Sequence, residues 1–332
     1  MRQFTVKHVD AFTTEPFSGN PAGVITEADE LTVEMMQRIA SEMYLSETSF
    51  VTIPESENTS FRIRFFTPSN EVDMSGHVTI AACFALIEDG RIDLDDGITN
   101  VQFETNIGNV PLNVHFKRGY TSKILDGREK DGVAISIDGK NTGKLERIML
   151  HQPIQHYRPA TIPDRKIASI LGIEETEVLG TGLPVEIIST GLNQLMVPVM
   201  HKETILNMKP DLIKLGLVNL KLGIDTNHIF TLDTFNPDCT TYSRHFAPAV
   251  GMWEDHATGT AAAGLGTYLV RHGISISRSM VMEQGKEVEN LARILVEIDQ
   301  AEGENSSAWI GGLAVTSITR KINIENEEIV II

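Results

Sequence analysis

Cysteine is scarce in this chain: its 332 residues include only two, Cys83 and Cys239, far apart in sequence. That excludes a disulfide framework and any C-x-x-C metal or redox pattern, and leaves both thiols as small buried hydrophobes. No cluster of His, Cys and carboxylates has metal-ligand spacing, no G-x-G-x-x-G follows a strand pattern, and there is no P-loop. Neither a metal nor a cofactor is therefore expected, and chemistry falls to ordinary side chains. Positive charge is also short, since 28 Lys and Arg against 45 Asp and Glu give a net charge of −17. Nucleic-acid binding draws on clustered cations that release counterions from phosphates, so no such partner is expected. No segment is long and apolar enough to cross a bilayer. The first residues, Met1 to His8, alternate like a strand and lack the apolar run and small-residue cleavage site of a secretory signal. The expectation is a soluble, cytoplasmic protein without membrane contact.

What the chain does hold is an internal echo, and its length suits two domains of ordinary size. One segment runs from Ser75-Gly76-His77 through Ala81-Ala82-Cys83 to Gly90, and a second from Thr258-Gly259-Thr260 through Ala261-Ala262-Ala263 to Gly273. Each opens with a hydroxyl residue and a glycine, as an N-cap does, and closes at a glycine placed to end a helix in the left-handed region. Polar residues are nearly absent until the last turn, and a helix that is apolar all round must be buried on all sides. The flanks repeat too: Arg64-Phe65-Phe66-Thr67-Pro68 precedes one helix and Arg244-His245-Phe246-Ala247-Pro248 the other. Acidic loops follow, with Glu71 and Asp73 in one and Glu254 and Asp255 in the other. The same features in the same order indicate duplication, hence two similar α/β halves with a ligand pocket where equivalent loops meet. Residues Leu31 to Met43 and Ile162 to Leu171 read as amphipathic surface helices, and short β-branched runs such as Asn100 to Thr105 and Ser279 to Gln284 read as strands. The stretch Trp309 to Thr316 also reads as strand, whereas Lys117 to Lys144 suits a domain crossing or a projecting hairpin.

Two glycine-opened helix starts facing one cleft would hold a carboxylate or an oxyanion on their free N–H groups, although Gly76 and Gly259 also serve as simple turn residues. His77 falls in the first helical turn, where the dipole favours a neutral imidazole able to hydrogen-bond a substrate; a structural hydrogen bond is its plainer role. Asp255 precedes the second helix, where capping is the plainer role. Glu71 and Glu254 have weaker claims. Glu47, in Leu45-Ser46-Glu47-Thr48-Ser49-Phe50, leaves a surface helix and enters a strand with an apolar face. Desolvation there would raise its pKa towards neutrality, as a general acid/base requires, and an exposed strand edge is the alternative. Asn20 sits in a Gly-Asn-Pro turn that is able to touch a ligand.

These strings, with Asp10-Ala11-Phe12-Thr13, Phe17-Ser18-Gly19-Asn20-Pro21 and Ser189-Thr190-Gly191-Leu192, resemble the phenazine-biosynthesis, or PhzF-like, isomerase family of the diaminopimelate epimerase-like fold. The resemblance spans nearly the whole chain. It implies an α+β protein of two pseudo-symmetric domains, each a curved, mostly antiparallel sheet wrapped around a central buried helix. The expected division is 1–118 plus about 312–332, and 119–311. It further implies cofactor-independent proton transfer at carbon of a small carboxylate-bearing metabolite, as in trans-2,3-dihydro-3-hydroxyanthranilate isomerase, by a homodimer. By motif match, Glu47 moves the proton, His77 and Asp255 assist, and Gly76, Gly259, Thr260 and Asn20 bind substrate. The racemase branch of the fold uses a cysteine at each helix start, and neither Cys83 nor Cys239 is placed for that. A thiol-independent racemase and a non-catalytic metabolite-binding protein are the alternatives. The chain departs from the family with His256 where Pro is usual and Val78 where Ala is usual, and with extra length between Lys117 and Lys144.

Overall fold

The computed structural model describes residues 2–119, 128–129, 132–137, 141–154, 156–300, 307–325 and 328–331. The chain divides into two compact units, residues 1–150 with 311–332, and residues 151–310.

The first unit contains β1 (Arg2–Ala11), β2 (Asn20–Ile25), α1 (Val33–Met43), β3 (Thr48–Thr52), β4 (Phe61–Phe66), β5 (Glu71–Val72), α2 (Gly76–Glu88), β6 (Gly97–Thr105) and β7 (Gly108–Arg118). Next come β8 (Arg128–Glu129), β9 (Gly132–Ile137) and β10 (Asn141–Pro153), and the strand Ala314–Glu325 returns to this unit from the C-terminal end. Five pairings set its order: Ala314–Glu325 antiparallel to β1, β1 antiparallel to β2, β2 parallel to β3, β3 antiparallel to β4, and β4 parallel to β6. Parallel neighbours need a crossover, which α1 supplies for β2 and β3 and α2 for β4 and β6. The helix α2 packs against β1, β2, β3, β4 and Ala314–Glu325. Five strands spaced about 4.8 Å apart span more than one helix of about 10 Å diameter, so the sheet must curve around it. Every residue of α2 from His77 to Ile87 is buried. On the outer face, α1 buries Met36, Ile39, Ala40 and Met43, an i, i+3, i+4, i+7 stripe. Its Thr32 hydroxyl caps the Met35 N–H.

The second unit contains β11 (His156–Pro159), α3 (Asp164–Leu171), α4 (Glu175–Leu179), β12 (Glu186–Ser189), β13 (Asn193–Pro198), α5 (Lys202–Asn207), α6 (Leu212–Leu222) and β14 (Thr226–Thr231). It continues with β15 (Thr241–Ala247), β16 (Met252–Asp255), α7 (Gly259–Arg271), β17 (Ser279–Gln284), β18 (Ala292–Gln300) and β19 (Ser307–Gly312). The pairings repeat the first unit's pattern: β11 antiparallel to β12, β12 to β13 antiparallel, β13 to β14 parallel, β14 to β15 antiparallel and β15 to β17 parallel. Here α7 is the enclosed helix, buried from Ala261 to Leu269 and packed on β12, β13 and β18. The other sheet face carries a core of Ile167, Leu171, Ile187, Leu195, Ile229, Tyr242 and Phe246, to which α3, α5 and α6 contribute Leu171, Ile205 and Leu215.

The duplication, the two enclosed helices and their glycine ends thus stand as expected; Gly90 and Gly273 have φ of 66° and 67°. The dividing point lies at residue 150 and not 118, because β10 pairs antiparallel with β7 of the first unit from Gly143 to Leu150. In the Lys117 to Lys144 stretch, β8 pairs with β9 and β9 with β10, and residues 120–127, 130–131 and 138–140 lie outside the described residues. Among the described residues no helix is long and apolar enough to cross a membrane.

Candidate active site

In the first unit, α1 ends at Tyr44 in the left-handed region, and three residues later Glu47 stands immediately before β3. Its carbonyl accepts the Gly23 N–H of β2 at 3.1 Å, which fixes the backbone where β3 begins. Its carboxylate Oε2 accepts the Ser75 hydroxyl and lies 3.7 Å from His77 Nδ1. Ser75 Oγ is in turn 3.3 Å from His77 Nδ1. The side chains of His77 and Glu47 are only 9% and 15% exposed, so water screens this group weakly. His77 Nε2 is buried with no hydrogen-bond partner. The structure therefore brings together Glu47, Gly76 and His77, with Ser75 as a member that the sequence pattern marked only as a helix opener. Ser75 does stand at the N-cap position, but its side chain makes no cap. That corrects the capping expectation, and it leaves the first N–H groups of α2 without a side-chain acceptor from their own cap residue.

Asn20 is buried at the start of β2, and β2 runs parallel to β3, so Asn20 and Glu47 belong to the same end of the sheet. The loop before it is strained: Phe12, Phe17 and Gly19 have φ of 63°, 65° and 66°. A Cβ on Gly19 would fall 2.2 Å from the Ala11 carbonyl oxygen, so only glycine closes this turn. The buried Asp10 carboxylate accepts the Phe17 N–H at 2.7 Å, and desolvation raises its pKa. Nothing in the sequence pattern marked this loop as strained.

The second unit repeats the device with different parts. Asp255 ends β16, and its Oδ2 accepts the Thr258 hydroxyl at 2.6 Å; Thr258 opens α7 without capping it. The buried Gln284 clamps this corner, its amide donating to the Asp255 carbonyl at 2.9 Å and to Thr258 Oγ1 at 3.1 Å while its carbonyl accepts the Thr258 N–H at 3.1 Å. Gly259 and Thr260 form the first turn of α7, and the Thr260 carbonyl accepts Gln194 Nε2 at 3.2 Å. Asp255, Gly259 and Thr260 thus share one corner, and Gln284 is the member that sequence reasoning missed. Glu71 and Glu254 serve the scaffold instead, since each forms a two-pronged ion pair, with Arg64 at 2.8 and 2.8 Å and with Arg244 at 2.7 and 2.8 Å. These pairs fix the acidic loop ahead of each enclosed helix.

Burial pushes the Cys239 thiol up to about 12 and raises that of Cys83, which lies inside α2, so neither is a reactive thiolate; Cys239 Sγ accepts from Arg293 at 3.3 Å. Among the described residues no three His, Cys, Asp or Glu side chains converge as a metal site.

Comparison with known proteins adds to this geometry. A family model described as phenazine biosynthesis-like protein, PhzC-PhzF, matches residues 9–320. The chain is 33% identical over 325 residues to the "Uncharacterized isomerase YfhB" of Bacillus subtilis, covering 98% of this chain and 100% of that one. It is 29% identical over 306 residues to trans-2,3-dihydro-3-hydroxyanthranilate isomerase of Pseudomonas aeruginosa, covering 90% and 92%. The crystal structure of a PhzF-family phenazine biosynthesis protein from Bacillus anthracis superimposes with a TM-score of 0.79 at 29% identity, covering 98% of this chain and 100% of that one.

Proposed function

The chain belongs to the PhzC-PhzF family of phenazine biosynthesis-like proteins and is an isomerase, and from that premise we propose that Glu47 moves a proton between carbons of a small carboxylate-bearing metabolite. The observation that carries this reading is the Glu47 carboxylate, little exposed, held by Ser75 beside His77 at the open start of α2. A carboxylate held against a reacting C–H acts as general base and, once protonated, as general acid. Abstraction of that proton leaves negative charge on the substrate, and helix N–H groups already in place stabilise it without reorganisation. Gly76 with Asn20 in the first unit, and Gly259 with Thr260 in the second, are the proposed binders of the substrate's polar groups. His77 and Asp255 orient it. In this scheme every step is a proton transfer between side chain and carbon, so it runs without a cofactor. The working form is proposed to be a cytoplasmic homodimer, twofold dimers being the commonest assembly.

A helix start with N–H groups free of a side-chain cap supports a carboxylate-bearing substrate, and trans-2,3-dihydro-3-hydroxyanthranilate, on which the Pseudomonas relative is named to act, heads a panel of small unsaturated carboxylates. Incubation in deuterated water is expected to place deuterium on carbon of the product. Glu47→Gln is expected to lower turnover by roughly 10²- to 10⁴-fold, the usual contribution of a positioned acid/base. Full turnover in that variant removes Glu47 from the mechanism. Tight binding with no exchange of carbon-bound hydrogen by the wild type would mark a binding protein, and loss of optical activity from a chiral acid a thiol-free racemase.

A further inference from the structure

Ser75 Oγ stands between two groups, and it has one proton to give. An ionised carboxylate only accepts, so the Ser75 hydrogen goes to Glu47 Oε2. The contact between Ser75 Oγ and His77 Nδ1, at 3.3 Å, must then run the other way, with Nδ1–H donating to the hydroxyl oxygen. A neutral imidazole protonated at Nδ1 carries a bare lone pair at Nε2, and Nε2 is the atom buried without a partner. Ser75 is itself 8% exposed, and its backbone, at φ −141° and ψ 126°, is ordinary extended chain. Its hydroxyl is therefore not spent on relieving backbone strain or capping its own helix.

We propose that Ser75 is a positioning residue whose hydroxyl, donating to Glu47 and accepting from His77, holds the glutamate ionised and leaves His77 Nε2 as a hydrogen-bond acceptor. This rests on the reading of Glu47 as the proton-moving group. In the second unit a β-branched hydroxyl, Thr258, makes a like bond to Asp255 at 2.6 Å.

The test needs no substrate. In the full chain labelled with ¹³C at glutamate side-chain carboxyls and ¹⁵N in histidine rings, Glu47→Gln and His77→Gln assign the two signals. In wild type, His77 is expected to carry its proton on Nδ1. Removing the donor in Ser75→Ala disfavours the ionised carboxylate, so the Glu47 titration midpoint is expected to rise by about one pH unit, the worth of one charge-assisted hydrogen bond. The His77 tautomer preference is expected to be lost with it, and Ser75→Thr to restore both. With a turned-over substrate, the acid limb of the rate profile is expected to move up by the same amount and kcat to fall by roughly 10- to 100-fold while KM holds. A Glu47 midpoint that stays put in Ser75→Ala, or a His77 proton on Nε2 in wild type, overturns the proposal. If the alanine variant does not fold, Ser75→Cys, a weaker donor, is read instead: an intermediate midpoint supports the proposal and an unchanged one overturns it. Failure of the parent reading looks different, since there Glu47→Gln keeps its turnover whatever Ser75 does.

Discussion

The two units of this chain share a plan and differ in what they place on it. Strand order, parallel crossovers and enclosed helix recur, as do the arginine pair ahead of the helix and the cap hydroxyl given to a carboxylate. Strand register fixes the equivalences: Ser49 lies opposite Phe65 in the first unit as His228 lies opposite His245 in the second. Counting back two residues from Ser49 and from His228 sets Glu47 against Thr226. The acid of the first unit thus comes from the start of a sheet strand. The acid of the second, Asp255, comes from the loop strand before the helix. Duplication supplied the same hydroxyl–carboxylate device twice, and divergence moved its carboxylate, which stands at a sheet strand in one unit and beside hydroxyls and amides in the other. On the proposed reading only the first unit carries the proton-moving group.

The comparison is tested most severely at the arginines. Arg244 is 4% exposed and also donates to the carbonyls of Ile205, Leu206 and Met208, whereas Arg64 is 20% exposed and its carboxylate partner is the main restraint upon it. Removing Arg244 loses the ion pair and leaves three chain carbonyls without their donor, a cost of about 3–5 kcal/mol, whereas removing Arg64 loses the pair alone, about 1–2 kcal/mol; the carboxylates left behind are similarly exposed, 27% and 25%. Arg244→Ala is expected to show the first figure and Arg64→Ala the second in urea unfolding. Equal losses would mean that the two pairs are equivalent after all.

Acid also divides the units. His228 and His245 face each other at 3.2 Å; burial pushes His228 down to about 3, and burial with the neighbouring His228 pushes His245 well below its ordinary value. The register-equivalent residues in the first unit are Ser49 and Phe65, which do not titrate near neutrality. Both histidines are neutral when folded and take up protons when unfolded below about pH 6.5. Stability is therefore full above that pH, and it falls as pH drops towards 3, by about 1.4 kcal/mol per unit for each histidine. Amide exchange in β14 and β15 is expected to quicken near pH 5 before that in β3 and β4. His228→Ser with His245→Phe, which copies the first unit, is expected to flatten the difference. A slope that survives the double substitution would locate the acid sensitivity elsewhere.

Much of this plan was legible in the residues because apolar periodicity and glycine stops are local signals. The enclosed helices, the strands at Asn100 to Thr105 and Ser279 to Gln284, and the amphipathic helix ending at Met43 follow from side-chain pattern alone. The grouping of Glu47 with His77 was carried by motif resemblance, since 30 residues separate them and only the β2–β3 pairing and the α2 crossover bring them within 3.7 Å. The roles of Ser75 and Thr258 were misread as caps because sequence shows which residue opens a helix, not which acceptor lies across from its hydroxyl. Likewise Arg64 and Arg244 were visible as repeated letters, and their pairing with Glu71 and Glu254 was not, because it depends on β5 and β16 folding back on β4 and β15. The end of the first unit was placed early because the β7–β10 pairing spans a segment whose sequence looks like a linker.

The smallest expected effect sits at Thr226, the residue in the register of Glu47. Its hydroxyl is buried with no hydrogen-bond partner, and so is Oε1 of Gln194, its cross-strand neighbour. A carboxylate could not be held there without a donor, which Ser75 provides in the first unit, whereas Thr258 has already given its hydrogen to Asp255. The second unit thus keeps at this position a buried polar group that carries a small desolvation cost. Replacing an unsatisfied hydroxyl by a methyl of similar shape removes a desolvation cost, so Thr226→Val is expected to stabilise the chain by about 0.5–1 kcal/mol in urea unfolding. It is also expected to leave carbon-bound hydrogen exchange intact, in contrast to Glu47→Gln at the matching place. A loss of stability above about 1 kcal/mol would show that the Thr226 hydroxyl has a partner in solution, a bound water among them. The two registers would then differ in the nature of their polar contact, not in whether one exists.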